Sequence, residues 1–331
     1  MIEPDVSAAP RLVALDWGTS SLRAFLLGDG ARVLAQRQAD CGILRLPAPG
    51  GREGFERAFA DVAGGWLAQW PRLPVVAGGM VGSAQGWRET PYVRCPADVG
   101  ALASQATRVA AAPNVELWIA PGVLFDPGDA PPDVMRGEEI QIAGALVKQP
   151  AWNTRACFVL PGTHSKWAWV ESGRLLRFST YMTGEIYAIA RQHSILGRLM
   201  PQADPSPSLD ATRDAAFDAA LDAARASRPG ELTHQLFAVR TLGLTDRLPR
   251  EALADYLSGL LIGHELVSGL AQSANARTAG APIVLIGEPA LCRRYARALQ
   301  RFGVVPAAQL DNTAPLGLWA FAQAADLLTA A

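Results

Sequence analysis

The chain has 331 residues, half of them hydrophobic, and a formal net charge of -1 at pH 7. That length suggests about two domains, and the near-neutral charge argues against a nucleic acid or an anionic membrane as partner. No apolar run of ~18 residues occurs, so no membrane span is expected.

The opening "MIEPDVSAAP" lacks the basic end and apolar centre of a signal peptide and reads as a frayed tail. Cys41, Cys95, Cys157 and Cys292 stand far apart without a CxxC spacing. This excludes a zinc or redox motif and points to reduced, mostly buried thiols in the cytoplasm. Of the 30 basic residues, only Lys148 and Lys166 are lysine.

Strand signals come first at 12–16, 22–27 and 32–37, with a Gly28-Asp29-Gly30 turn between the last two. Phe55, Phe59, Val62 and Trp66 recur at helical spacing over 53–70. Strands are expected at 74–79 and 115–120, and a helix with acids in its first turn at 136–148. The first part therefore reads β-β-β-α-β-α-β-α. A second set of strands follows at 157–161, 165–170 and 174–180, with Ser172-Gly173 as a hairpin turn. Helices are expected at 183–198, 208–226, 232–242 and 250–272, with a Pro/Ser-rich loop at 200–210. A strand-turn-helix covers 281–303, and a last helix 314–329.

The two strand sets begin alike: "GTSSLRAFLLGDGARVL" from Gly18 and "GTHSKWAWVESGRLL" from Gly162. A repeat of about half the chain means two similar domains rather than a solenoid. A β-turn-β that presents backbone N–H groups and hydroxyls suits an anion. Two such turns could hold a polyphosphate, through Gly18, Thr19 and Ser20 in one and Gly162, Thr163, His164 and Ser165 in the other. Asp16 alone would repel that anion, but it makes sense with a divalent cation, Mg²⁺ with several waters, between them. Arg23 could reach a phosphate or a substrate carboxylate, and the rarity of lysine marks Lys166 for a special role. An ordinary hairpin turn also uses Asp, Gly, Thr and Ser; the second copy tips the balance to phosphate.

"LDWGTSSLRAFLL", "GTHSKW" and "IVLIGEPAL" resemble the two phosphate segments and the adenosine segment of the superfamily of sugar kinases, hexokinase, actin and heat-shock chaperones. Within it, "GGMVGSAQGWRETPYVRCPA", "DVMRGEE", "LPGTHSKWAWV" and "TYMTGEIYAIARQHSIL" are similar to the 2-dehydro-3-deoxygalactonokinases. The resemblance implies an α/β fold of two ribonuclease-H-like (actin-like ATPase) domains around a central cleft. They would span 1–150 and 151–312, with the helix of 313–331 packing back on the first. It implies ATP and Mg²⁺ as cofactors, and phosphorylation of the 6-hydroxyl of 2-dehydro-3-deoxy-D-galactonate in galactonate breakdown.

In related glycerol and xylulose kinases a Gly-Asp opens a helix about two dozen residues before the second phosphate turn. Gly137-Glu138 holds that place here and makes Glu138 the expected base, with Glu139 and Asp133 behind it. The segment Gly79, Met80, Val81, Gly82, Ser83 matches the sugar-binding segment of related kinases, with Trp87, Glu89 and Tyr92 as wall and hydrogen-bonding groups. Arg23, Arg88 and Arg136 are the candidates for the substrate carboxylate. Gly287, Glu288 and Pro289 form the turn across which a nucleotide base could lie. The partner is a small sugar acid, and a homodimer is left open. The alternatives are a kinase of a related small sugar or sugar acid such as 2-dehydro-3-deoxygluconate, or a non-catalytic nucleotide-switched binding protein.

Overall fold

In the computed structural model, residues 9–201, 210–274 and 280–328 are described. Strands β1 (Leu12–Trp17), β2 (Leu22–Leu27) and β3 (Val33–Ala39) form an antiparallel meander. Helix α1 (Gly51–Phe59) and helix α2 (Gly65–Gln69) are separated by a wide π turn at Ala60–Gly64, in the middle of the single helix expected there. Arg37 donates to the Val62 carbonyl at 3.1 Å and lies over the Trp66 ring, satisfying a carbonyl of that turn.

Strand β4 (Val75–Gly79) pairs parallel with β1. Then come β5 (Tyr92–Arg94), α3 (Val99–Ser104), β6 (Thr107–Ala112), β7 (Val115–Ile119), β8 (Gly122–Phe125), β9 (Asp133–Met135) and α4 (Glu138–Lys148). The simple β-β-β-α-β-α-β-α order is thus too lean. Strand β6 adds an edge to the main sheet, which runs β3-β2-β1-β4-β7-β6, and β5, β8 and β9 make a separate sheet in the order β5-β8-β9. Three of these strands have three or four residues, too few to show an alternating pattern.

The second sheet holds β10 (Arg155–Leu160), β11 (Ser165–Glu171), β12 (Arg174–Tyr181), β13 (Ile283–Ile286) and β14 (Ala308–Leu310), in the order β12-β11-β10-β13-β14. The first five strands of the other sheet follow the same pattern, a three-strand meander and then parallel strands beside its first member. Ser172 and Gly173 take φ of 52° and 72° in the β11–β12 turn, as their hairpin reading requires.

The helices are α5 (Thr183–His193), α6 (Asp210–Arg225), α7 (Leu232–Leu244), α8 (Leu253–Ser273) and α9 (Pro289–Arg301). Helix α5 ends at His193, short of the expected 198. Of the Pro/Ser-rich loop, residues 202–209 lie outside the described residues, as do 1–8 of the expected tail.

The last helix, α10 (Ala314–Ala324), packs on α4 and β1. A side chain at Gly317 would meet the Ile140 carbonyl at 1.8 Å, and one at Gly144 the Thr313 carbonyl at 2.0 Å. These two glycines let α4 and α10 touch backbone to backbone.

The chain forms two compact units. Unit 1 comprises residues 1–155, 170–178 and 312–331, and unit 2 comprises 156–169 and 179–311. In unit 1 the stretch 170–178 joins through Leu175, which exchanges backbone hydrogen bonds with Ala97. Strand β1 is buried at nearly every position, so both faces of its sheet are covered. In unit 2, Trp167, Trp169, Phe217, Leu266 and Tyr295 belong to the main core.

Candidate active site

In unit 1, Asp16 stands near the end of β1, where antiparallel register sets Arg23 opposite it and parallel register sets Gly78 beside it. Arg23 Nη1 lies 3.5 Å from Asp16 Oδ2, and Asn312 Nδ2 donates to the same oxygen at 3.3 Å. Burial pushes the Asp16 carboxyl up from its ordinary value, opposed by the Arg23 charge and the Asn312 hydrogen bond.

The following turn is held from behind. Gly18 N–H donates to Ser21 O, Ile43 N–H to Gly18 O and Leu44 N–H to Thr19 O. A side chain at Gly42 would lie 2.3 Å from Ser20 N, so only glycine fits there. Trp17 Nε1 donates to Cys41 O. Thr19 and Ser20 are left exposed at the tip.

Beside β1, β4 ends at Gly79, whose φ is 96° and whose missing Cβ would fall 2.7 Å from Trp17 O. A Cβ at Gly137 would lie 3.2 Å from Gly79 Cα. The head of α4 is thereby brought against the end of β4. Glu138 is half-buried there and accepts the Arg136 N–H at 3.1 Å. Both oxygens of Glu139 accept the Gly137 N–H, and its side chain lines an apolar cavity of about 270 Å³ with Val99, Leu102, Ile142, Leu146 and Leu175. Burial first, then the Glu138 charge, raise the Glu139 carboxyl from 4.5 to about 8. Asp133 opens β9 and accepts from Val134 N–H.

Arg136 reaches across to Thr90, donating to its Oγ1 and, at 3.1 Å, to its carbonyl, and its guanidinium lies 4.4 Å over the Tyr92 ring. Thr90 in turn donates to Gly82 O. Two buried polar groups in this region have no partner among the described residues: Ser83 Oγ and Arg136 Nε. One expectation for the segment changes. Trp87 does not offer a free flat wall, because it stacks on Phe55 at 5.6 Å and 11° and meets Trp17 and Phe59 edge-on. Met80 packs against the same core, and Val81 is fully buried. Glu89 and Arg88 are exposed.

In unit 2, the turn from Gly162 leaves Thr163 and His164 exposed. The N-terminus of α5 braces it: Glu185 N–H donates to Thr163 O at 3.0 Å, and the Glu185 carboxylate meets His164 Nε2 at 2.5 Å. Ser165 and Lys166 turn inward rather than toward a phosphate. Ser165 is fully buried and its hydroxyl donates to Glu265, while the buried Lys166 donates to Thr180 Oγ1 at 2.8 Å.

Gly287, at φ 150°, donates its N–H to Leu310 O. Glu288 caps α9, accepting from Ala290 and Leu291 N–H, which hold its carboxyl below the usual range, and Pro289 starts the helix. A cavity in unit 2, about 200 Å³, is lined not by this turn but by Gly162, Thr183, Gly184, Tyr187 and Ser258, and by Leu291, Arg294 and Tyr295 further along α9. Arg294 pairs with the buried Asp255 at 2.7 Å and lies over Phe217, and its Nε and Nη2 have no partner among the described residues.

Thr90, Asn312, Glu265 and Arg294 escaped the sequence reading. Of these only Arg294 carried a signal, its helical spacing with Leu291 and Tyr295.

Comparison with known proteins agrees in direction. The family model described as 2-keto-3-deoxy-galactonokinase matches residues 16–321. The 2-dehydro-3-deoxygalactonokinase of Escherichia coli (strain K12) is 34% identical over 92% of this chain and 94% of its own. A second relative, in Rhizobium meliloti (strain 1021), is 35% identical over 96% of this chain and 99% of its own. A crystal structure from Sinorhizobium meliloti, also carrying the 2-dehydro-3-deoxygalactonokinase name, superposes with a TM-score of 0.79 at 32% identity, covering 95% of this chain and 98% of that one. The chain belongs to the 2-keto-3-deoxy-galactonokinase family.

Proposed function

We propose that this kinase transfers the γ-phosphoryl group of ATP to the 6-hydroxyl of 2-dehydro-3-deoxy-D-galactonate, giving the 6-phosphate and ADP. The names of its relatives supply the substrate class. The observation that carries the reading for this chain is the pair of unpartnered buried groups, Ser83 Oγ and Arg136 Nε, in the region of the β4 end. A buried polar group without a partner costs about 1–3 kcal/mol, and a polar ligand that reached these two would remove that cost. A hydroxylated carboxylate offers acceptors to the guanidinium N–H and either role to the serine.

Unit 1 then binds the sugar acid and unit 2 the nucleotide. The common strand order of the two sheets supports reading the chain as two ribonuclease-H-like domains. Glu138, at the head of α4, takes the proton of the attacking hydroxyl, while the exposed Thr19 and Ser20 at the β1–β2 turn offer N–H and hydroxyl groups to phosphate oxygens. Among the described residues no group of three metal-ligating side chains exists. A single carboxylate at Asp16 fits Mg²⁺, which keeps its waters and uses phosphate oxygens instead of a protein cage. Held there, the cation would neutralise charge on the phosphates. The four cysteines are free thiols, which fits a cytoplasmic enzyme.

A coupled ADP-release assay over a panel of 2-keto-3-deoxy sugar acids tests the proposal. The galactonate compound should turn over fastest. Faster turnover of the gluconate epimer would move the assignment to that substrate, and ATP binding without ADP release on any acid would end the kinase reading.

A further inference from the structure

Glu265 lies in the middle of α8, 3% exposed, with Leu261, Ile262 and Leu266 buried around it on the helix. A carboxylate is expensive to bury in such a place unless every lone pair is used. Here each is. Oε1 accepts Ser165 Oγ at 2.7 Å and Trp167 Nε1 at 2.9 Å; Oε2 accepts Thr183 Oγ1 and, at 2.7 Å, Tyr295 OH. The four donors come from β11, α5 and α9, and a carboxylate has about four acceptor sites to offer.

These donors surround the Gly162–Ser165 turn. Ser165 is its last residue. Thr183 begins α5, and a side chain at the next residue, Gly184, would fall 2.4 Å from Gly162 O. Thr183 and Tyr295 also line the 200 Å³ cavity together with Gly162. A side chain that only filled space would do so with less cost as a hydrocarbon. One that takes four directed hydrogen bonds fixes the relative placement of the strand, the helix N-terminus and the cavity wall.

We propose that Glu265 is a positioning residue for nucleotide binding, holding the Gly162–Ser165 turn and its cavity in the shape that ATP requires. This rests on the reading of unit 2 as the nucleotide-binding unit. It implies that loss of Glu265 weakens ATP and ADP but leaves the sugar acid alone.

The test uses the full-length enzyme and the variants Glu265→Ala, Glu265→Gln and Tyr295→Phe, each assayed well below its own melting temperature. ADP with Mg²⁺ is titrated calorimetrically, and KM is measured separately for ATP and for 2-dehydro-3-deoxy-D-galactonate. Glu265→Ala should weaken ADP and raise KM for ATP about tenfold or more, with KM for the sugar acid within about twofold of wild type. Glu265→Gln should rescue much of this. Its carbonyl keeps Ser165 and Trp167, and its amide can donate to the hydroxyls of Thr183 and Tyr295 once they reverse. Tyr295→Phe, which deletes one bond of the four, should show a smaller loss confined to the nucleotide.

Wild-type nucleotide affinity in a folded Glu265→Ala enzyme would overturn the proposal. Should that variant not fold, an equal loss for both ligands in Tyr295→Phe, or no loss in both Tyr295→Phe and Glu265→Gln, would overturn it. Failure of the wild-type enzyme itself to bind ADP would instead remove the nucleotide reading of unit 2.

Discussion

Replacing Glu139 by Gln should flatten the pH dependence of stability in this protein. Glu139 is 4% exposed, and its carboxyl is raised from 4.5 to about 8, chiefly by burial and secondly by the neighbouring Glu138 charge. Below pH 4.5 the group is protonated whether the chain is folded or not. Between 4.5 and about 8 the unfolded chain releases the proton and the folded one keeps it. The folded state then binds more protons, so stability falls as pH rises through this window and levels off above it.

At about 1.4 kcal/mol per pH unit, the ceiling for the whole window is about 5 kcal/mol. The adjoining cavity of about 270 Å³ can admit water and hydrate the carboxylate, which lowers the effect. The expected outcome is that Glu139→Gln gains about 2 kcal/mol or more on wild type between pH 5.5 and 8. Urea unfolding followed by tryptophan fluorescence at several pH values, wild type beside variant, measures it. Parallel pH profiles for the two proteins would refute the reasoning, as would a gain that shrinks toward high pH.

Glu138→Gln should lower kcat by about 10²–10⁴-fold while ADP binding by calorimetry stays close to wild type; turnover at the wild-type rate would rule Glu138 out as the base. Asp16→Ala should raise the Mg²⁺ concentration needed for half-maximal activity, seen in a metal titration, and an unchanged titration would remove Asp16 from the metal. Gly317→Ala should force α4 and α10 apart, because its Cβ would meet the Ile140 carbonyl at 1.8 Å. A loss of about 1–3 kcal/mol in stability is expected, read as a lower denaturant midpoint, and kcat should fall with it because α4 carries Glu138.

Local chemistry made several elements legible. The β1–β2 turn and its counterpart before β11 announce themselves by glycine and hydroxyl residues between strands, and Ser172-Gly173 by the positive φ its hairpin needs. Gly137 ahead of two acids marked the start of α4. The short strands β5, β8, β9 and β14 left no pattern to read, since three or four residues cannot establish a period. At Glu288 and Pro289 the sequence reads equally as a helix cap or a ligand turn, because both use the same residue types. Only the coordinates show the Glu288 carboxylate already bonded to Ala290 and Leu291.

By itself, then, the sequence determined the two-part α/β plan, the placing of its turns and its kinship, because these depend on spacing among near neighbours. Tertiary structure decided which side chains meet. Thr90 receives Arg136 across 46 positions, Ser165 finds Glu265 across 100, and Asn312 reaches Asp16 across 296. It also turned Trp87, Ser165 and Lys166 inward, where sequence expected them at a ligand. Such pairings depend on how sheets and helices stack, and that packing is a property of the whole fold which no local stretch encodes.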